Sequence, residues 1–493
     1  ESIDIGAFEQ PTVLRDEIAF VGSRLDGQIE LFKSDGTNTN GTGILKNVGG
    51  SQSSNPHELT VVGDRLFFAA TGADGEVEMF VTESNGSTRR FKDLSGSISS
   101  NPHDLIVFND QLHFVATGTD GNTELLVTDG TKDGTVRVKN LSGNLSSEPE
   151  ELTVFNDRLF FTALSATSAG GVERELFVSD STGPGTSRVV NLYGQGTDSN
   201  PSDLTVVDDK LFFVATTPSG DRELHVSDGT AAGTMIVKDL AGNSSPRELT
   251  EFDGDLYFVA TLAGGNSELH KSDGTSAGTG LVSDLSGGTD SNPRELTAIG
   301  NQLFFVATMS DGQDELHVSD GETAQLLTNL HGGTDASPQG LTEFSGRLYF
   351  SAIGNDGERE LYASDGTAAG TGRLKDIGGT ISSDPHNLQG VGDTLYFAAT
   401  TSAGEIELFK SDGTSAGTSL VKNLSGSPAP REIVAFRIDP LGSIGPTDFG
   451  TANPSVQGFA QSSIAIQSNN PHREESDQPG AKLFDRVFEQ WDN

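Results

Sequence analysis

The sequence predicts an all-β fold, a single large β-propeller built from four-stranded antiparallel blades, and three observations lead to it. One motif, Glu-Leu-x-x-Ser-Asp-Gly-Thr or a close variant, recurs nine times along the chain. Each copy contains four short apolar runs separated by turn residues, with almost no helical periodicity. The repeat of about 47 residues has the length of one propeller blade.

The regularity of the repeat is the first of these observations. Its glutamate stands at positions 30, 78, 124, 175, 223, 268, 315, 360 and 407, so that successive spacings are 48, 46, 51, 48, 45, 47, 45 and 47 residues. Nine copies in phase cannot arise by chance, and a fixed period of this size indicates stacked structural units.

The internal plan of a copy is clearest in residues 53–94. Apolar runs at 59–62, 66–69, 77–81 and 89–94 alternate with turn signals at 63–64, 73–75 and 84–86. Four strands joined by such hairpins form an antiparallel meander. One small sheet cannot bury both faces, whereas radial stacking of many sheets does. A linear β-solenoid is the main alternative, but its coils are shorter and lack three hairpin turns each.

The blade number follows from the copies. The first copy, at residues 11–48, aligns throughout with the others, and a tenth unit opens at 430–437 and then stops. This fragment is expected to be a closing strand that ties the end of the ring to the first blade. Nine blades are predicted, with eight or ten as alternatives, and residues 1–437 are assigned to the propeller.

The balance of charges restricts the partners. The 493 residues include 31 Lys+Arg and 71 Asp+Glu, which gives a net charge of −40. Phosphate backbones and anionic lipid surfaces repel such a chain, so nucleic-acid binding and direct membrane insertion are not expected. The negative charge is compatible with binding of divalent cations, although a requirement for solubility is enough to explain it. Cysteine is absent, which excludes disulfides and thiolate metal sites.

Export is expected from the first residues. The chain begins at Glu1 rather than at Met, as a mature end does after removal of an export signal. No apolar run reaches the 18 residues of a membrane span. The expected location is extracellular or at the cell surface, with the periplasm as an alternative.

The last 56 residues do not follow the repeat. Residues 438–480 are rich in Ser, Gln, Asn, Gly and Pro and are expected to be an extended segment. Residues 481–493 are expected to form a short amphipathic helix. Its apolar face is expected to bind either the chain's own propeller or a partner protein, and consists of Leu483, Phe484, Val487, Phe488 and Trp491.

The repeat resembles the bacterial ELWxxDGT repeats over residues 11–437, including the second Gly-Thr of DGTxxGT at 228–234. The resemblance implies a propeller in an exported surface protein and does not imply a defined activity. The chain departs from it where that family has Trp. The residues at this position are Phe32, Phe80, Leu126, Phe177, His225, His270, His317, Tyr362 and Phe409.

The aspartate of the Asp-Gly pair is the candidate metal ligand, because carboxylate and hydroxyl oxygens suit Ca²⁺. The eight candidates are Asp35, Asp129, Asp180, Asp228, Asp273, Asp320, Asp365 and Asp412, with Glu83 at this position in the second copy. Asp-Gly is equally what a tight turn requires, since aspartate accepts hydrogen bonds from its own loop and glycine tolerates positive φ. Both interpretations stay open, and Ca²⁺ is the only cofactor considered.

No catalytic residue is assigned. Ser276 and Ser415 satisfy G-x-S-x-G, but they lie in hairpin loops, without the strand–elbow–helix context of a nucleophile. The repeated glutamate has nine copies in similar surroundings, whereas a catalytic carboxyl pair needs two different environments. A structural hydrogen bond is the expected role. His225, His270 and His317 mark three successive copies as an asymmetric sector, either a packing position or a surface for a partner.

Three functions compete. The preferred one is a non-enzymatic extracellular structural or protein-interaction protein, such as a subunit of a surface or filamentous assembly that docks through its C-terminal tail. The first alternative is a calcium-assisted glycan-binding module. The second is a polysaccharide-acting enzyme, for which Arg247, Arg294 and the histidine sector are the closest approach to a site.

Overall fold

The computed structural model describes residues 17–24, 26–37, 41–167, 170–194, 196–240, 242–423 and 429–436. These residues form 36 strands and no helix. The strands form nine sheets of four, and every pairing within a sheet is antiparallel. The prediction of a nine-bladed all-β propeller is confirmed.

Blades two to nine each use four consecutive strands. Blades two and three consist of β4 (His57–Val62), β5 (Arg65–Thr71), β6 (Val77–Thr82), β7 (Thr88–Lys92), β8 (His103–Phe108), β9 (Gln111–Thr117), β10 (Thr123–Thr128) and β11 (Val136–Arg137). Blades four and five consist of β12 (Glu150–Phe155), β13 (Arg158–Ala166), β14 (Val172–Ser179), β15 (Ser187–Arg188), β16 (Ser202–Val207), β17 (Lys210–Thr216), β18 (Arg222–Ser227) and β19 (Met235–Ile236).

The second half of the ring repeats this plan. Blades six and seven consist of β20 (Arg247–Phe252), β21 (Asp255–Thr261), β22 (Ser267–Ser272), β23 (Gly280–Ser283), β24 (Arg294–Ile299), β25 (Gln302–Thr308), β26 (Asp314–Ser319) and β27 (Ala324–Thr328). Blades eight and nine consist of β28 (Gln339–Phe344), β29 (Arg347–Ile353), β30 (Arg359–Ser364), β31 (Gly372–Lys375), β32 (His386–Val391), β33 (Thr394–Thr400), β34 (Ile406–Ser411) and β35 (Ser419–Lys422).

Blade one combines both ends of the described chain. It contains β1 (Ile18–Ser23), β2 (Ile29–Ser34), β3 (Gly43–Lys46) and β36 (Arg431–Ala435). The fragment expected to close the ring is β36, which pairs antiparallel with β1. The first strands of successive blades contact one another around the whole ring, including β32 with β36 and β36 with β4. These nine strands are therefore the innermost ones and surround the axis.

The hydrophobic core lies between the blades. Nine apolar clusters each join two neighbouring blades, and one of them packs Phe20 of blade one against Tyr396 of blade nine. The second strand of each blade is covered on both faces, which explains its unbroken apolar run. In β17, for example, Leu211, Phe212 and Phe213 are all fully buried. Among the described residues there is no helix with the length and hydropathy of a membrane span.

Candidate functional site

The innermost strands carry acidic side chains at one repeated position, the second residue of the strand. Seven of the nine blades have an acid there, and the two exceptions are Gly340 and Asn387. We call these seven residues the axial acids: Glu58, Asp104, Glu151, Asp203, Glu248, Glu295 and Glu432. Because the innermost strands surround the axis, the axial acids form a ring around it.

The backbone at this position is unusual. All nine residues have positive φ, from 48° at Glu432 to 67° at Gly340. The register of the innermost strand shifts here by a β-bulge, for example between His57 and Thr60. Glycine and asparagine adopt this conformation most readily, whereas glutamate does so at a cost. The fold accepts the cheaper residues in two blades, so the acids in the other seven have a role beyond backbone geometry.

The axial acids connect neighbouring blades. Oε2 of Glu58 accepts a hydrogen bond of 3.2 Å from the backbone N–H of Leu105 in the next blade. Oε2 of Glu248 accepts one of 2.9 Å from the N–H of Glu295, and Glu295 accepts one of 2.9 Å from Leu341. These three carboxylates thus tie their blades to the next ones.

Burial and mutual repulsion raise the pKa values of several axial acids. Burial, followed by the charge of Asp203, raises the pKa of Glu151. Burial raises the pKa of Asp104 to about 6, and Glu58 adds to the rise. Burial is also the main cause at Glu295 and Glu432. The acids interact around the ring, so a cation near the axis would relieve repulsion among them.

The axial acids were not predicted from the sequence. A signal was present, since an acid precedes the apolar residue of the first strand in seven aligned copies. The column is less regular than the Asp-Gly and Glu-Leu columns, because Gly340 and Asn387 interrupt it. Nothing in the sequence shows that this column faces the axis.

The aspartates proposed as metal ligands hold their own loops together. Oδ1 of Asp228 accepts hydrogen bonds of 2.8 Å from the N–H and 2.7 Å from the hydroxyl of Thr230. These bonds, the hydroxyl first, lower the pKa of the Asp228 carboxyl. The same pair of bonds recurs at Asp35, Asp129, Asp180, Asp273, Asp365 and Asp412. Asp320 differs, because its Oδ1 accepts from Glu322 and Thr323.

The glycine of the second Gly-Thr lies against this carboxylate. A Cβ added at Gly233 would overlap the side chain of Asp228, and the same holds for Gly134 and Asp129. The DGTxxGT spacing therefore has a steric reason, since a residue larger than glycine would displace the carboxylate. These contacts support the structural interpretation of the Asp-Gly loop, and calcium binding by its aspartates stays a prediction.

The three histidines lie in the core. The ring at this position stacks on a phenylalanine of the second strand in eight of nine blades. His225 stacks on Phe213 with ring centroids 5.4 Å apart, and His270 and His317 are equally buried. Burial lowers the pKa of all three, and that of His225 to about 4. They are neutral near pH 7 and serve as packing groups.

His225 differs from the other two because it has a tyrosine partner. The hydroxyl of Tyr193 is 2.6 Å from Nε2 of His225, while Nδ1 lies 2.9 Å from the Glu223 carbonyl oxygen. Tyr193 also lines a cavity of about 240 Å³ in blade five. The other lining residues are Thr217, Ser219, Asp221, Glu223, Ile236 and Asp239.

The repeated glutamate binds the segment that leads to the next blade. Its carboxylate accepts a hydrogen bond from a serine hydroxyl, at 2.7 Å for Glu223 with Ser244 and 2.6 Å for Glu360 with Ser383. Blade seven lacks this serine and has Ala336 in its place. Burial there raises the pKa of Glu315 to about 7. The two arginines considered for an enzymatic site also form hydrogen bonds. Arg247 donates to Asn292, and Arg294 donates to Asp314.

The tail residues Leu483, Phe484, Val487, Phe488 and Trp491 lie outside the described residues. Their assignment to a partner-binding helix stays a prediction, as does the boundary at residue 438.

No protein-family model and no curated protein matches this sequence. Several solved propellers are similar to it at low identity. A puromycin-hydrolyzing peptidase from Mycobacterium tuberculosis is 14% identical with a TM-score of 0.41, over 74% of this chain and 53% of that one. The β-propeller domain of the Trilobed protease from Pyrococcus furiosus is 11% identical with a TM-score of 0.36, over 76% of this chain and 96% of that one.

TolB from Acinetobacter baumannii is 15% identical with a TM-score of 0.30, over 63% of this chain and 65% of that one. The chain spans between 53% and 59% of the length of a puromycin hydrolase, the puromycin-hydrolyzing peptidase and a prolyl endopeptidase that it matches. At these identities and TM-scores the likeness adds no argument about activity.

Proposed function

We propose that this protein is an exported, non-enzymatic interaction protein that receives a basic segment of a partner at the axial acids. The observation that carries the proposal is the acid at a positive-φ position in seven of nine innermost strands. Positive φ also recurs three residues earlier in every blade, from Asn55 to Ala429, but that column is acidic in only two blades, so the argument rests on the acidic side chains of the axial column. A ring of carboxylates in which burial raises the pKa of Asp104, Glu151, Glu295 and Glu432 favours a cationic ligand.

The other repeated polar residues support a scaffold role for the blades. The carboxylate of Asp228 accepts hydrogen bonds within its own turn, Glu223 binds Ser244, and His225 stacks in the core. These columns hold blades together, whereas the axial acids combine a structural contact with a concentrated charge.

A lysine-rich peptide such as decalysine tests the axial surface by calorimetric titration of the full chain in about 0.1 M salt. The test variant combines Glu151→Gln, Asp203→Asn and Glu248→Gln. We expect at least a tenfold loss of affinity. The control variant removes three exposed acids outside the innermost strands by Asp64→Asn, Asp133→Asn and Asp393→Asn. Equal loss in both variants would show that only net charge attracts the peptide and would contradict the proposal.

The apolar tail is proposed as a second contact, through which the protein joins an assembly. Light scattering of the full chain, with and without the pair Phe488→Ser and Trp491→Ser, tests this part separately. A drop from oligomer to monomer supports assembly through the tail. An unchanged mass rejects tail-mediated self-assembly without affecting the axial proposal.

A glycan-binding role is the second candidate, because of the cavity beside Tyr193. An aromatic ring next to carboxylates and hydroxyls suits a sugar, which offers both an apolar face and hydroxyl donors. Glycan-array binding that Tyr193→Ala abolishes would support this role. Binding that survives Tyr193→Ala, or an array without signal both with calcium and with a chelator, would reject it.

A further inference from the structure

The tyrosine that lines the cavity of blade five has no counterpart in the other copies. The position of Tyr193 is held there by Gly, Ser, Ala or His, for example by Ser142 and Gly378. Tyr193 lines the cavity of about 240 Å³ together with residues of the turn between β17 and β18. A cavity of this volume has room for one side chain or one sugar ring, since pockets for larger ligands begin at about 300 Å³.

The buried His225 fixes the orientation of this tyrosine. Nδ1 of His225 lies 2.9 Å from the Glu223 carbonyl oxygen, which can only accept, so Nδ1 carries the proton. Burial lowers the pKa of His225 to about 4, and the imidazole is therefore neutral near pH 7, with a lone pair on Nε2. The Tyr193 hydroxyl, 2.6 Å away, donates to that lone pair. The aromatic ring is thus held in place before any ligand binds.

The other walls of the cavity are acidic and include no basic side chain. Asp221, Glu223 and Asp239 line it, together with the hydroxyls of Thr217 and Ser219. Among the described residues, neither Asp221 nor Glu223 takes part in an ion pair. An aromatic ring beside carboxylates suits an ammonium or guanidinium group. A cation would balance the charge of these walls, whereas a neutral sugar would not.

The cavity lies at the same end of blade five as the axial acid Asp203. Asp203 is the second residue of β16, and its neighbour Ser202 pairs with Val214 near the end of β17. The chain then turns through the residues that line the cavity. Arg222, the first residue of β18, donates to the Ser202 hydroxyl at 2.5 Å, and this hydroxyl donates to the Asp203 carboxylate at 2.6 Å. Two hydrogen bonds therefore join the strand that begins beside the cavity to an axial acid.

We propose that the cavity beside Tyr193 is an anchoring pocket for one lysine or arginine side chain of the partner's basic segment. This inference rests on the proposed function, because it adds a second contact for the same segment beside the axial acids. The aliphatic part of the side chain would lie along the Tyr193 ring, with its charged end at the carboxylates of Asp221 and Glu223. Aromatic and basic side chains that meet in a pocket contribute much of the binding energy of protein interfaces.

Calorimetric titration of decalysine into the full chain, in about 0.1 M salt, tests the pocket. Tyr193→Ser introduces the residue that four other copies carry and leaves the net charge unchanged. We expect it to lower the affinity about threefold or more, as the loss of a cation–π contact does. Tyr193→Phe keeps the aromatic ring and should lower the affinity by less than about twofold.

A second pair of variants tests the carboxylate. Asp221→Asn introduces the residue found at the same position in Asn122 and Asn266. The matched control is Glu405→Gln, which removes one negative charge at the corresponding turn position of blade nine. We expect the affinity for decalysine to fall more with Asp221→Asn than with the control. Circular dichroism and the thermal midpoint verify that each variant folds.

The outcomes separate the pocket from the axial acids. Unchanged affinity in Tyr193→Ser, together with a loss in the triple axial variant, would overturn the pocket and leave the proposed function intact. A loss in Tyr193→Ser without a loss in the axial variant would support the pocket and reject the axial acids. Equal losses in the Ser and Phe variants, or in Asp221→Asn and Glu405→Gln, would overturn the pocket. So would binding of a neutral glycan that requires Tyr193 while the affinity for decalysine does not. No binding of decalysine by the unmodified chain would overturn both proposals.

Discussion

Lys422 of blade nine donates a hydrogen bond of 2.8 Å from Nζ to the carbonyl oxygen of Thr42 in blade one. The same contact joins neighbours elsewhere, as from Lys139 to Thr186 at 2.6 Å. At the junction of blades nine and one, this bond joins strands that are far apart in the chain. Here non-covalent contacts hold the two sides of the ring together.

Replacing Lys422 with Met should weaken ring closure. A hydrogen bond from a charged group contributes about 1.5–3 kcal/mol, so we expect a loss of stability on the order of 1–2 kcal/mol. Hydrogen exchange should accelerate most in β1 and β36, because these two strands close the ring by pairing with each other although they are far apart in the chain. Lys139→Met is the matched control. Equal local acceleration around Lys139 would show that closure is no weaker than the other junctions.

The buried Glu315 of blade seven should make the protein less stable at high pH. The pKa of Glu315 is raised to about 7 by burial, above its value of about 4.5 in an unfolded chain. The stability associated with its protonated form is therefore complete below pH 4.5 and is lost as pH rises through 7. Ala336→Ser, which restores the serine of the other blades, should lower this pKa and raise stability at pH 8 by about 1 kcal/mol.

Glu315→Gln is the companion variant, because it removes the titrating group without changing the size of the side chain. Thermal midpoints at pH 5.5 and 8 should differ less in both variants than in the unmodified chain. An unchanged difference would mean that Glu315 does not titrate in this range.

The three core histidines should make the protein less stable at low pH, which is the opposite of the effect of Glu315. Burial lowers their pKa values in the folded state, to about 4 at His225, whereas unfolded histidine titrates near 6.5. Their contribution to the free energy of unfolding is therefore complete above pH 6.5 and is lost as pH falls toward 4. The combined change of His225, His270 and His317 to Phe, which occupies this position in four other blades, should reduce the loss of thermal stability between pH 7 and 4.5. An equal loss with and without the histidines would contradict this.

Gly233→Ala should destabilise the Asp-Gly loop of blade five. The added methyl would overlap the Asp228 carboxylate and force it away from Thr230, at a cost on the order of 1–3 kcal/mol. Gly280→Ala is the control, since a Cβ at Gly280 meets nothing within 4 Å. Denaturant unfolding of both variants measures the difference. Similar midpoints would mean that the loop adapts without loss.

The sequence was sufficient for the fold because the repeat appears in phase nine times and each copy carries its own turn signals. The closing role of residues 431–435 was also visible, since a tenth copy that stops after one strand has few other uses. Periodicity specifies the contacts within a blade and between neighbours, and a closed ring is built from these contacts alone.

The sites were harder to predict because they depend on differences between copies. His225 attracted attention as a departure from the repeat, although stacking on Phe213 makes it a packing group. Ala336 is an equally small departure, and it matters only because of the Glu315 carboxylate beside it. A sequence column does not show which oxygen lacks a donor or which column faces the axis.

Blade one, assembled from β36 and β1–β3, has a consequence for biosynthesis. A ribosome makes β1 first and β36 more than 400 residues later, so β1 has an unpaired inner edge while eight further blades are made. Such an edge can pair with other chains. Slow synthesis should therefore promote aggregation through β1 until Arg431–Ala435 is available to pair with it.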